Sequence, residues 1–325
     1  MNIVVLDAFP ASANDCAWEE LRKLGNTTVY VHTSKEQVLE RSADAEVILT
    51  NKVIFSKDVI SQLTKLKYIG VLATGINNID LDAATKAGVV VTNVPAYSTD
   101  SVAQMTFAHF LCVANKVESY SEDVHKGEWE RSKHFCFYSH MQIELCNKTL
   151  GIIGFGKIGQ KIAQIGQAFG MNIVFNNRSD KRGLMNATEQ LDIETLFRVS
   201  DFISVNVPLT EDTKEFINLS LLAECKNNVV ISNTGRGLLV NEHDMAEALE
   251  QELIRAYCAD VLSSEPPMEN NPLLRTRNCY LTPHIGWATV EARMRLINIA
   301  TENVEGFIGG QAKCVCNNSM PRASD

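Results

Sequence analysis

Three polar side chains stand just past short apolar runs in the C-terminal half of the chain, and together they have the chemistry to reduce a carbonyl. Arg236 follows Val229-Val-Ile-Ser-Asn-Thr-Gly and lies between Gly235 and Gly237. Its planar guanidinium can clamp a carboxylate through two parallel hydrogen bonds and polarise the neighbouring carbonyl. Glu265 follows Ala256-Tyr-Cys-Ala-Asp-Val-Leu-Ser-Ser and precedes two prolines, and His284 follows Leu281-Thr-Pro. A histidine whose one ring nitrogen is held by a carboxylate can pass a proton to a keto oxygen from the other, or recover it from a hydroxyl. Singly, each has a plain structural reading: a histidine after a strand, an arginine in a surface ion pair, a glutamate capping a turn. No serine or cysteine nucleophile elbow accompanies them, so the acid–histidine pair is not read as part of a hydrolase.

A second constellation supplies the redox partner. Thr149-Leu-Gly-Ile-Ile-Gly154-Phe-Gly156-Lys-Ile-Gly159 reads as a strand, then G-x-G-x-x-G, then a helical pattern over Gln160–Phe169. Gly154 permits a tight turn, Gly156 lets the backbone approach a pyrophosphate, and Gly159 lets helix and strand pack closely. The helix start then offers unpaired N–H groups and a partial positive charge to phosphates. A plain strand–helix turn is the bland alternative. An acid is expected about 20 residues on, at the end of the next strand, for the ribose hydroxyls. There the chain reads Asn176-Asn177-Arg178-Ser179, with Asn177 at the acid position. Without a carboxylate, a 2′-phosphate is not repelled, and Arg178 and Ser179 can bind it. The pattern favours NADP(H). NAD(H) is the alternative if Arg178 is only a solvated turn residue.

These groups need strand ends to hold them. β-branched runs at Ile3–Leu6, Thr28–Val31, Val47–Leu49, Tyr68–Val71 and Val89–Thr92 alternate with helical patterns such as Ala17–Leu24 and Lys57–Gln62. A second series runs through Thr149–Ile153, Asn172–Phe175, Phe202–Val205, Val229–Ser232, Arg255–Ala259 and Cys279–Thr282. This rhythm predicts two α/β domains with parallel sheets, ligands lying outside the carboxyl ends of the strands. A mostly apolar helix is expected over Ser101–Ser119, capped by Thr99 or Asp100. His125–Cys146 reads as an irregular aromatic segment. The last helix, Val290–Phe307, follows the final strand of the second series and is expected to return to the first domain. The expected division is residues 1–99 with 290–325 as one domain and residues 100–289 inserted as the other.

The chain has 325 residues, against a prior of about 150 per domain. Its 39 acids and 30 bases leave a net charge of −9, which argues against a general nucleic-acid binder. No apolar run approaches the roughly 18 residues needed to span a bilayer, and no secretory signal is visible at the N-terminus. Nine dispersed cysteines suit reduced thiols in a cytoplasm. Cys314-Val-Cys316 lacks a second ligand pair, so no metal is expected.

Gly154–Gly159, Ser200-Asp-Phe-Ile-Ser-Val-Asn-Val-Pro-Leu-Thr210, Asn233–Gly237, Asp260–Pro266 and Pro283-His-Ile-Gly-Trp-Ala-Thr289 jointly resemble the D-isomer-specific 2-hydroxyacid dehydrogenase family over nearly the whole length. The resemblance implies a dinucleotide-binding Rossmann domain inserted into a flavodoxin-like substrate domain, with Arg236, Glu265 and His284 as the catalytic trio. It implies cofactor contacts at Lys157, Ile158, Val207, Pro208, Thr213, Thr234, Gly235 and Asp260. Asp260 would sit near the nicotinamide carboxamide. The substrate carboxylate would meet the amides of Thr74 and Gly75, with Asn51 and Lys52 nearby and Trp287 closing over a short polar tail. Val71–Asp80 and Val94–Gln104 are most similar to the glycerate dehydrogenase/hydroxypyruvate reductase members, which implies hydroxypyruvate or glyoxylate as substrate. The missing acid at Asn177 departs from many family members and resembles those using NADP. A homodimer is also implied, with Trp129–Tyr138 and the Ser101–Ser119 helix as candidate interface. The alternatives are 3-phosphoglycerate or D-lactate dehydrogenases, and a non-catalytic, nucleotide-sensing corepressor-like protein. A glutamate at 265, where formate dehydrogenases carry glutamine, argues against formate.

Overall fold

The computed structural model describes residues 1–12 and 18–317. Cys16, Ala17 at the start of one expected helix, and the tail beyond Asn317 lie outside them. The chain divides into two compact units, one formed by Met1–Ser98 with the stretch from Trp287 onward, the other by Thr99–Gly286.

In the first unit five parallel strands form one sheet: β1 (Asn2–Val5), β2 (Asn26–Val29), β3 (Val47–Thr50), β4 (Tyr68–Val71) and β5 (Val90–Thr92), in the order β2-β1-β3-β4-β5. This is the flavodoxin-like doubly wound order, whose reversal lies between β1 and β3. β3, β4 and β5 are buried throughout, as expected of parallel strands covered on both faces. The helix Val290–Ile308 packs Ala292, Leu296, Ile297, Ala300 and Val304 into the same apolar cluster as Ile3, Val5, Leu49 and Tyr68. Thr289 begins it by accepting a hydrogen bond from Ala292 N.

The second unit holds seven parallel strands: β6 (Thr149–Ile153), β7 (Asn172–Asn176), β8 (Thr188–Gln190), β9 (Phe202–Val205), β10 (Val230–Asn233), β11 (Ala256–Ala259) and β12 (Cys279–Leu281). Their order, β12-β11-β10-β9-β6-β7-β8, is the Rossmann order with its reversal between β6 and β9. β8 was not anticipated. It is an edge strand of sequence Thr-Glu-Gln and carries no apolar alternation to announce it.

The expected helix over Ser101–Ser119 is two helices, Thr99–Asn115 and Val117–His125, separated by Lys116 in the left-handed region at φ 52°. The first half buries nine residues; the second buries none. The Lys116 ammonium donates to the Tyr280 hydroxyl at 2.5 Å, which anchors the break. Nor do Thr99 and Asp100 precede the helix as caps: both lie in its first turn, where the carboxylate suits the helix dipole and pairs with Lys161 at 2.9 Å.

Candidate active site

The glycine loop after β6 is shaped by close approach. Gly154 sits at φ 93°, and a Cβ there would stand 2.8 Å from the Asn206 backbone. A Cβ on Gly159 would stand 2.2 Å from the Gly154 carbonyl oxygen, so only glycine lets the helix start pack on the turn. A Cβ on Gly156 would meet nothing within 4 Å, leaving open space over the loop. The following helix begins at Lys157, three residues before the expected Gln160, so Lys157, Ile158 and Gly159 form its first turn. That turn has no side-chain cap and no acid, leaving its amides to an anion. The cradle fits the pyrophosphate of a dinucleotide.

At the end of β7, Asn177 Oδ1 accepts from Phe155 N at 3.1 Å, and its amide donates to the Ser179 carbonyl and hydroxyl, each at 3.0 Å. The side chain thus ties the glycine loop to the turn after β7. Arg178 is exposed and bonds to no described residue. Arg182, by contrast, is held by Asp180 in a bidentate pair, and this hydrogen bonding holds the Asp180 carboxyl down at about 2. On the other side of the loop, Val207 is partly buried and Pro208 exposed. The Thr213 hydroxyl donates to the Pro208 carbonyl and accepts from Thr210 N, closing the turn they share.

β10 ends in Asn233, fully buried, which sequence reasoning passed over. Its Oδ1 accepts from Gly235 N at 3.0 Å and its amide donates to the Arg236 carbonyl at 2.9 Å. The turn through Thr234, Gly235 and Arg236 is therefore clamped from beneath. Arg236 is exposed, its guanidinium donating only to the Gly235 carbonyl, so no carboxylate of a described residue competes for it.

His284 and Glu265, 19 residues apart in sequence, meet in the fold: His284 Nδ1 lies 2.5 Å from Glu265 Oε2. Glu265 Oε1 accepts from Leu262 N at 3.2 Å, which orients the carboxylate. Nε2 of His284 bonds to no described residue, and the two side chains are 28% and 38% exposed. His284 adopts φ 55°, an uncommon conformation for a residue with a Cβ. Asp260 holds it there. Its Oδ1 accepts from Thr282 Oγ1 at 2.6 Å and Ile285 N at 2.9 Å, and its Oδ2 from Gly286 N at 2.7 Å. At 3% exposure, Asp260 is first of all the brace of the histidine turn. Glu242, also missed, accepts from Ser263 N, Ser263 Oγ and Asn271 Nδ2, and so fastens the loop carrying Glu265.

In the first unit, Asp7 after β1 accepts from Thr50 Oγ1, Asn51 N and Lys52 N, stitching the strand ends across the sheet reversal. The Asn51 amide is buried and donates to the Leu72 carbonyl, so this side chain braces the loop instead of projecting toward a substrate; Lys52 is exposed. Thr74 is exposed, its hydroxyl donating to the Val94 carbonyl, and no described residue accepts from the amides of Thr74 or Gly75. Trp287 is partly buried against the apolar cluster of this unit, edge-on to Tyr97 at 6.3 Å.

Residues 107–286 match the family model of the D-isomer specific 2-hydroxyacid dehydrogenase NAD binding domain. The chain is 38% identical over 321 residues to a hydroxypyruvate reductase of Blautia hydrogenotrophica, covering 98% of this chain and all of that one. It is 34% identical to a glycerate dehydrogenase of Methylorubrum extorquens over 86% of this chain and 88% of the relative. Among solved structures, an acyclic imino acid reductase in complex with NADPH and D-Arg superposes with a TM-score of 0.85 at 29% identity, covering 97% and 99% of the two chains.

Proposed function

The chain belongs to the D-isomer-specific 2-hydroxyacid dehydrogenase family, and from that premise we propose that it reduces hydroxypyruvate or glyoxylate to D-glycerate or glycolate, and catalyses the reverse oxidation, with NADP(H) preferred. The observation that carries the reading is the His284–Glu265 pair at 2.5 Å, with His284 Nε2 left to a substrate.

A reduced nicotinamide dinucleotide, held by the Gly154–Gly159 loop and the first turn of the helix from Lys157, would supply hydride to the carbonyl carbon. The chain supplies the rest. Arg236 binds the substrate carboxylate and, through its fork of donors, the carbonyl oxygen on which negative charge develops. His284 Nε2 gives that oxygen a proton. Glu265, accepting at Nδ1, fixes the ring and stabilises the imidazolium form from which the proton leaves; in the reverse direction the neutral ring takes the hydroxyl proton. Thr74 and Gly75 present two amides in one turn, an arrangement suited to a carboxylate.

Asn177, Arg178 and Ser179 support the cofactor preference. No carboxylate repels a 2′-phosphate at the end of β7, Arg178 has its donors to spare, and the nearby acid, Asp180, is neutralised by Arg182. Two further readings belong here. The exposed Trp129, Phe135 and Tyr138 support a homodimer interface, which sedimentation of the parent and a Phe135→Glu variant tests. The eight described cysteines are unpaired, which suits a reducing cytoplasm.

A kinetic panel of hydroxypyruvate, glyoxylate, pyruvate and phosphohydroxypyruvate against NADPH and NADH tests the proposal. The highest kcat/KM is expected for hydroxypyruvate or glyoxylate with NADPH. A preference for phosphohydroxypyruvate or pyruvate would reassign the substrate, a preference for NADH would remove the cofactor assignment, and nucleotide binding without turnover would favour a sensor.

A further inference from the structure

His109 lies in the helix Thr99–Asn115, 5% exposed, and the chemistry above gives it no task. Its ring sits between two strand ends of the second unit. Nδ1 is 3.0 Å from Ser232 Oγ in β10, and Nε2 is 3.5 Å from Thr282 Oγ1, just past β12. The partners decide where the hydrogens are. Thr282 Oγ1 lies 2.6 Å from Asp260 Oδ1, and an ionised carboxylate only accepts. The single hydroxyl proton of Thr282 therefore goes to Asp260, and toward His109 this oxygen can only accept. Nε2 must carry the ring hydrogen, Nδ1 must accept, and Ser232 must donate. One directed chain results: Ser232 to His109 to Thr282 to Asp260. Asp260 in turn holds the amides of Ile285 and Gly286, the two residues after His284. Burial pushes the His109 imidazole down to about 4, which keeps it in the neutral form that can both donate and accept.

We propose that His109 is a positioning residue for the reaction: its imidazole locks Thr282 and, through Asp260, the left-handed turn that aims His284, while its other nitrogen ties this turn to the strand that leads into Arg236. Two residues on loops that follow β10 and β12, on either side of β11, are thus set by one buried ring. Ser232 immediately precedes Asn233, the clamp on the arginine turn. The chain has a definite direction, so a side chain of similar volume without the donor and acceptor breaks it. The inference rests on the reading of His284 as proton donor.

The test is a double-mutant cycle on kcat/KM for hydroxypyruvate with NADPH, using His109→Leu, Thr282→Val and the pair. Each single variant is expected to lose about tenfold, mostly in kcat, with the NADPH dissociation constant within about twofold of the parent. The pair should lose no more than the worse single, because both cut the same chain. His109→Gln, which keeps a donor and an acceptor, should recover most of kcat; a role limited to packing would be restored equally by leucine and glutamine. Losses that multiply to about 100-fold in the pair, or singles within about twofold of the parent, would overturn the proposal. Where His109→Leu fails to fold, Ser232→Ala with Thr282→Val makes the same cycle and leaves the ring in place. His284→Ala, run alongside, separates the two failures. Near-normal turnover there removes the reading of His284, whereas lost turnover there with an unaffected Thr282→Val removes only the positioning role.

Discussion

In the proposed reaction Arg236, Glu265 and His284 act through different properties, and substitution separates them. His284→Ala removes the proton donor and should lower kcat by about 10²–10⁴-fold while leaving the NADPH dissociation constant near that of the parent, measured by fluorescence titration. Near-normal turnover would contradict the role given to the ring. Glu265→Gln keeps a hydrogen-bonding shape but removes the charge that favours imidazolium. It should therefore lower kcat by about 10–10²-fold with the NADPH dissociation constant near that of the parent, and an unchanged kcat would show that the 2.5 Å pair is only structural. On the proposed cofactor reading, Asn177→Asp places a carboxylate at the end of β7 where the ribose would lie and should shift preference toward NADH; an unchanged NADPH:NADH ratio of kcat/KM would place the discrimination elsewhere. These side chains were legible in the sequence because their types are rare in combination and each follows an apolar run. Asn233, Asp7, Glu242, Thr282 and His109 were not. Asn233 holds groups two and three residues on but stands among other small polar residues, whereas the partners of Asp7, Glu242, Thr282 and His109 lie 21 to 173 residues away, and no spacing encodes such a meeting.

The central parallel strands are the best-read elements, since burial on both faces makes them nearly continuous apolar runs. β8 escaped because an edge strand has no such need. Helix boundaries were read less well: a tertiary anchor at Lys116 split one apolar pattern in two, and a helix expected at Gln160 begins at Lys157. That second difference matters chemically, because it decides which amides reach a phosphate. The helix Thr99–Asn115 carries Phe110, fully buried and edge-on to Phe202 at 5.1 Å. Phe110→Ala should cost about 3–5 kcal/mol of stability, read from denaturant unfolding at unchanged m-value. A loss below about 1 kcal/mol would mean that the helix contributes little to this core.

At the scale of the molecule, burial of one neutral imidazole links stability to pH. Burial pushes the His109 imidazole down to about 4 in the folded chain, against an ordinary value of 6.5. Between these values the unfolded chain takes up a proton that the folded chain refuses. The contribution is therefore complete above pH 6.5, declines as the pH falls toward 4, and amounts to roughly 3 kcal/mol. Melting temperatures measured from pH 7.5 to 4 should fall less steeply for His109→Gln than for the parent; parallel curves would show that another group governs the acid limb. The sequence by itself determined the architecture and the class of chemistry. Apolar periodicity imposes parallel α/β layers, the glycine spacing permits a turn that a Cβ would block, and the carboxylate, imidazole and guanidinium limit what the strand ends can do. Only the tertiary structure decided which groups hold those side chains in aim. The directed chain from Ser232 to Asp260 crosses a helix and three strands, and hydrogen bonds form between atoms brought within about 3 Å, a distance along which sequence separation carries no information.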